Sequence, residues 1–77
     1  MPRINIHLYA SLRRYVGNRP SVELEIVSGT TVGAVLTELG IPAAETRILF
    51  VDHRAASLDH PLSGGEEVGL FPAIGGG

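Results

Sequence analysis

Thr31-Val32-Gly33-Ala34-Val35-Leu36-Thr37-Glu38-Leu39-Gly40 changes the hydrophobic period of this chain, and its neighbours take their meaning from that change. Val32, Val35, Leu36 and Leu39 stand at i, i+3, i+4 and i+7, one face of an α-helix. Thr30 or Thr31 can supply the N-cap hydroxyl. Gly40 suits the position past the last turn, where φ > 0 is favoured, and Pro42 marks the stop. Gly33 costs about 1 kcal/mol against Ala in a helix interior, and less near the first turn. Close approach of the helix to a sheet is the expected reason for it.

On either side the period falls to two. Ile4, Ile6 and Leu8 alternate with Asn5, His7 and Tyr9, which predicts a half-buried strand. Ala10 to Val16 can form a short helical turn, ended by Gly17-Asn18 and Pro20. Val22, Leu24 and Ile26 alternate with Ser21, Glu23 and Glu25, a second strand with an acidic outer face that closes a hairpin with the first. Beyond the helix, Ile48 to Val51 is a continuous apolar run, the mark of a strand buried on both sides. Asp52-His53-Arg54 reads as a turn, Ala55 to Leu58 as a short edge strand, and Pro61-Leu62 as a 3₁₀ turn. Ser63-Gly64-Gly65 reads as a tight reversal, followed by a final strand in which Val68 and Leu70 flank Gly69.

The order is thus β-β-α-β-β-β. A right-handed crossover through the helix lets the first and last strands lie side by side in parallel. The expectation is an α+β, ubiquitin-like β-grasp with a mixed sheet of four to five strands on one main helix. Residues 1–71 would form the domain and 72–77 a flexible tail.

Composition narrows the function. A chain of 77 residues is one small domain, burying about 60–65% of its unfolded surface. It has no Cys, which excludes disulfides, thiolate metal sites and cysteine nucleophiles. Its apolar runs fall far short of the ~18–20 residues of a membrane span, and Met1-Pro2-Arg3-Ile4 carries no signal-peptide pattern. A cytoplasmic protein with no membrane partner is expected. The net charge is −2, with no basic cluster beyond Arg13-Arg14 and only two Phe and two Tyr, which argues against nucleic acid. His7, His53 and His60 are too scattered for a recognisable metal-ligand pair. Ser57, Asp59 and His60 do not resemble a nucleophile and its base. No Gly-rich Lys loop would bind ATP.

The tail is the remaining signal. Leu70-Phe71-Pro72-Ala73-Ile74-Gly75-Gly76-Gly77 runs from a strand through a proline to three glycines. Glycine has no Cβ, so such an end is thin and pliable enough for a narrow channel. The one reactive group at its tip is the carboxylate of Gly77, an anion at neutral pH. The plain alternative is a frayed terminus. If Val68 and Leu70 face the core, Phe71 faces out at the root of the tail, either as a docking anchor or partly buried under a neighbouring loop. All six basic residues are Arg; without Lys, an activated tail meets no side-chain amine of its own chain.

Asp59-His60-Pro61-Leu62-Ser63-Gly64-Gly65-Glu66-Glu67-Val68, running on to Phe71-Pro72 and a Gly-Gly end, resembles the MoaD/ThiS sulfur carriers, in particular the small subunit of molybdopterin synthase. Ala10-Ser11-Leu12-Arg13-Arg14-Tyr15-Val16-Gly17 resembles the family's post-strand helix. Ala73, where these subunits often have a second Pro, and His53 in the turn depart from the pattern. Ile74 also satisfies the tail of the thiamin-type carrier. The resemblance implies a non-catalytic carrier that binds no cofactor. A ubiquitin-activating-enzyme-like adenylyltransferase would use ATP to adenylate Gly77, and a persulfide donor would convert it to a thiocarboxylate. The large subunit of molybdopterin synthase would receive Gly75 and Gly76 in its active site, with Phe71, Pro72 and Ile74 docking. Other sulfur acceptors (thiamin thiazole, cysteine or tRNA), a ubiquitin-like protein modifier and a plain β-grasp interaction domain stay open as alternatives.

Overall fold

A computed structural model of the chain describes residues 2–72. Strand β1, Arg3–Leu8, buries Ile4, Ile6 and Leu8 and turns Arg3, Asn5 and His7 to the other side. It pairs antiparallel with β2, Ser21–Glu25, and parallel with the last strand of the chain. A 3₁₀ helix over Ala10–Val16 bridges β1 and β2, plugging the core with Leu12 and ending on Gly17 in the left-handed region.

Two-residue strand β3, Thr30–Thr31, leads into α1, Val32–Leu39. Of the two candidate caps Thr31 is the one used, its hydroxyl accepting from the Ala34 N–H at 3.2 Å. The predicted face is the buried one: Val32, Val35 and Leu36 are at most 1% exposed, and Leu39 packs at the edge of the core. Gly40 closes the helix at φ 76°.

Gly33 has a different cause from the expected approach to the sheet. A Cβ there would stand 3.3 Å from the carbonyl oxygen of Leu58, which accepts the Gly33 N–H at 2.8 Å. The segment around Leu58 is a strap across the start of the helix, and it claims the space that a side chain would fill.

After a 3₁₀ turn at Ala43–Glu45 come β4, Thr46–Val51, and β5, Arg54–Ala55. Asp52 and His53 between them both have positive φ, the geometry of a two-residue type I′ hairpin. The edge strand is therefore earlier and shorter than the predicted Ala55 to Leu58. Nor is β4 buried on both sides: Leu49 and Val51 face the core, while Ile48 is 46% exposed and Phe50 half-buried. An unbroken apolar run hides which residues face out, and here the outward ones form a second apolar surface.

Pro61–Leu62, read as a 3₁₀ turn, is instead strand β6, paired antiparallel with β3 in a small second sheet. Two residues carry no detectable period, so the pairing is legible only in three dimensions. Strand β7, Glu67–Pro72, then runs between β1 and β4, completing the order β2-β1-β7-β4-β5. Five strands, parallel only between β1 and β7, hold α1 on one face: this is the ubiquitin-like β-grasp. The inner face is wholly aliphatic, and each such side chain contributes about 1.5–3 kcal/mol by leaving water.

Candidate functional site

The outer face of the sheet is where β7 meets its neighbours without a helix above it. In the register of the parallel pair, Asn5 lies beside Glu67 and His7 beside Gly69; across the other edge, Phe50 lies beside Gly69 and Ile48 beside Phe71. Strand alternation puts these side chains on one side of the sheet. Phe71 is half-buried, covered by a ring rather than by a loop. Tyr9, the residue after β1, stacks on it with centroids 4.2 Å apart and planes within 1°. The Phe50 ring meets Phe71 edge-on at 5.8 Å. With no side chain on Gly69, these three rings enclose a depression of about 500 Å³, completed by His7, His53 and Glu67.

Its polar end is ordered. The Glu67 carboxylate accepts from Asn5 Nδ2 at 2.8 Å and from His7 Nε2 at 2.6 Å. Those hydrogen bonds, from Asn5 first and His7 second, hold the Glu67 carboxyl below its ordinary pKa. Glu66, one residue earlier, points the other way and caps the reversal. It accepts from the Gly64 N–H at 2.7 Å and the Ser63 N–H at 2.8 Å. That reversal is shaped for glycine, since a Cβ on Gly64, at φ 125°, would fall 2.9 Å from Pro2 Cβ. The two glutamates thus have distinct structural duties.

Of the predicted site residues, the structure places Phe71 at the centre of this face and Pro72 as the last residue of β7, buried opposite Thr46. The strand runs one residue past the expected domain boundary. Ile74, Gly75, Gly76 and Gly77 lie outside the described residues. The sequence reading missed Tyr9, Phe50, Gly69 and the Asn5-His7-Glu67 cluster. The outward half of the β1 alternation, Asn5, His7 and Tyr9, was the available signal; the parallel register that sets it beside β7 was not. His7 and His53 line the same depression, while His60 is exposed in the strap, its backbone carbonyl accepting from Val32. Among the described residues no three acidic or histidine side chains gather as a metal site, and no helix is long and apolar enough to cross a membrane.

This architecture, with an aromatic cluster on the outer sheet face beside the end of β7, can be compared with known proteins. The ThiS family model matches residues 6–77. The chain belongs to the ThiS family.

Members of this ThiS/MoaD-like family are small ubiquitin-fold sulfur carriers or modifiers. No curated protein matches the chain significantly. Among solved structures, SAMP1 from Haloferax volcanii is 27% identical with a TM-score of 0.74, the match covering 97% of this chain and 99% of that one. A putative molybdopterin converting factor, subunit 1, from Pyrococcus furiosus is 21% identical at a TM-score of 0.78, covering 96% of this chain and 100% of that one. A complex of subunits 1 and 2 of the molybdopterin-converting factor from Helicobacter pylori matches at 14% identity and a TM-score of 0.62, covering 97% and 99%. The last two likenesses speak to the fold of this ThiS-family chain.

Proposed function

We propose that this ThiS-family protein is a sulfur carrier whose C-terminal Gly77 is adenylated, converted to a thiocarboxylate and used to deliver sulfur in molybdopterin biosynthesis. The observation that carries the reading is the family match running through Gly77, on a chain whose last strand ends at Pro72 beside an unroofed aromatic face. Five residues beyond Pro72 span at most about 18 Å when extended, enough to reach into a partner docked on that face.

The chemistry divides between partners. A carboxylate is a poor acyl donor, so its oxygen attacks the α-phosphorus of ATP and releases pyrophosphate. A persulfide sulfur then attacks the acyl carbon and expels AMP. A thiol of the activating machinery cleaves the resulting acyl disulfide, becoming a disulfide itself and leaving the thiocarboxylate. In this scheme the carrier presents the carboxylate and docks, while an adenylyltransferase of the ubiquitin-activating type supplies the nucleotide site. The large subunit of a molybdopterin synthase would be the receiving partner, with a cyclic pyranopterin monophosphate as acceptor. The MoaD-type motif from Asp59 to Phe71-Pro72 supports this acceptor over the others.

The 27% identity to a protein named as a small archaeal modifier favours a second reading, in which the activated tail is joined to protein lysines. Intact-mass analysis of protein from the source cells tests both. One sulfur in place of one oxygen at the C-terminus identifies the carrier, and a lysine-linked tail identifies the modifier. An unmodified chain in every growth state overturns both. Reconstitution with the pyranopterin precursor then tests the acceptor.

A further inference from the structure

We infer that the free edge of β2 accepts one extended segment of a partner protein as a further antiparallel strand, a segment in which aliphatic residues alternate with arginine or lysine. The whole of β1 separates this edge from β7, and its use does not depend on whether Gly77 carries sulfur.

The backbone is the first ground. β1 and β2 exchange hydrogen bonds through even-numbered residues: the Leu8 N–H reaches the Pro20 carbonyl and the Ile26 N–H the Pro2 carbonyl, both at 2.9 Å. In the register that sets Ile4 beside Leu24 and Ile6 beside Val22, the odd-numbered Ser21, Glu23 and Glu25 turn their N–H and C=O groups away from β1. Such an edge is a template for another strand, and folds blunt it with a short strand, a proline or a bulge. The opposite edge of the sheet follows that rule, since β5 has two residues, Arg54–Ala55. By contrast β2 keeps five, with no proline and unbroken pairing.

Side chains are the second. Val22 and Leu24 share the inner side with Ile4 and Ile6 but remain half-buried at the margin of the core. Aliphatic residues of an added strand would cover them. Glu23 and Glu25 stand on the outer side, 58% and 54% exposed, and Arg3 pairs with them at 3.3 and 3.5 Å. One guanidinium against two carboxylates leaves an excess of negative charge, which favours cationic residues opposite. The same charge turns away a second copy of this chain. Two β2 edges meeting antiparallel about Glu23 or about Leu24 would set glutamate against glutamate, and like charges directly opposite are destabilising. The glutamates block self-pairing as a proline would, yet leave the backbone groups available to a cationic strand. Main-chain bonds then supply affinity, and the alternating side chains specificity.

The test is titration of full-length protein with a blocked peptide of alternating valine and arginine, followed by amide hydrogen exchange. Saturation should slow exchange of the Glu23 and Glu25 N–H groups at least about tenfold, with Val22 and Leu24, already bonded to β1, unchanged. The same peptide N-methylated at its arginines, and one alternating valine with glutamate, should each bind at least about tenfold more weakly. Glu23→Gln with Glu25→Gln should weaken binding and flatten its salt dependence. Glu23→Pro, which removes an N–H that faces away from β1, should abolish the protection; if it fails to fold, the N-methylated peptide decides. No binding, binding without protection of these amides, or equal binding of the N-methylated peptide overturns the proposal. Protection that appears without peptide as protein concentration rises assigns the edge to a second copy and overturns it too.

Discussion

The rings of Tyr9 and Phe71 lie parallel, 4.2 Å between centroids, although they come from opposite ends of the chain. The parallel pairing of β1 with β7, which carries the Tyr9 N–H to the Leu70 carbonyl at 3.3 Å, brings them together. The stack fixes Phe71 one residue before Pro72, and proline holds its predecessor in extended conformations. Phe71 is therefore held extended at the end of β7, with the Tyr9 ring lying over it.

That arrangement should be measurable as coupling. In a double-mutant cycle, Tyr9→Ala and Phe71→Ala should show an interaction energy of about 0.5–1.5 kcal/mol for stability. Phe71→Ala should also weaken association with an activating enzyme or a large synthase subunit by more than about 1 kcal/mol, with secondary structure retained. Strictly additive melting and unaltered partner affinity would show that the two rings neither support one another nor dock.

Leu36 lies centrally on the buried face of α1, at 1% exposure. Leu36→Ala should cost about 2–5 kcal/mol through lost burial and the cavity left behind. In so small a domain that is a large share of total stability. Urea unfolding measures it, and a midpoint equal to that of wild type would contradict the packing described.

Glu66 supplies a pH dependence. Burial alone would raise its pKa, but the backbone hydrogen bonds from Ser63 and Gly64 and that from the Ser63 hydroxyl prevail and hold it below its ordinary 4.5. A carboxyl lowered in the folded state stabilises the fold above its unfolded pKa, and that stability is lost as pH falls through the folded value. Stability should therefore be steady down to about pH 5 and decline below it, with Glu67 contributing in the same sense. Glu66→Gln should be less stable at neutral pH and show a shallower acid limb. Parallel wild-type and variant curves from pH 7 to pH 3 would remove this role.

The tail prediction concerns chemistry alone. Deleting Gly77, or replacing Gly76 with a bulky residue, should abolish sulfur loading in a reconstituted adenylation assay while melting stays unchanged. Both positions lie beyond β7 in the sequence, and on the carrier reading a Cβ at Gly76 would widen the tail that has to enter a partner's channel. Normal thiocarboxylate yield from either variant would reject the threading picture.

Periodicity and turn chemistry act locally, and what they govern was readable from the residues alone. The i, i+3, i+4, i+7 spacing of Val32, Val35, Leu36 and Leu39 gave the helix and its buried face, and the alternation of Ile4, Ile6 and Leu8 gave β1. Gly40 and the Ser63-Gly64-Gly65 reversal gave the stops, and this order with the Asp59 to Phe71-Pro72 motif pointed to the family. Tertiary structure alone decided what depends on register between distant segments. It turned Ile48 and Phe50 outward from an apolar run that has no period to read, and it paired Thr30–Thr31 with Pro61–Leu62. It also set Leu58 against Gly33, and assembled Tyr9, Phe50, Gly69 and Phe71 with the Asn5-His7-Glu67 cluster. A local pattern records which side of a strand meets the core, because burial is a property of one residue. Which outward residues become neighbours is a property of pairs, and only the closed sheet specifies it.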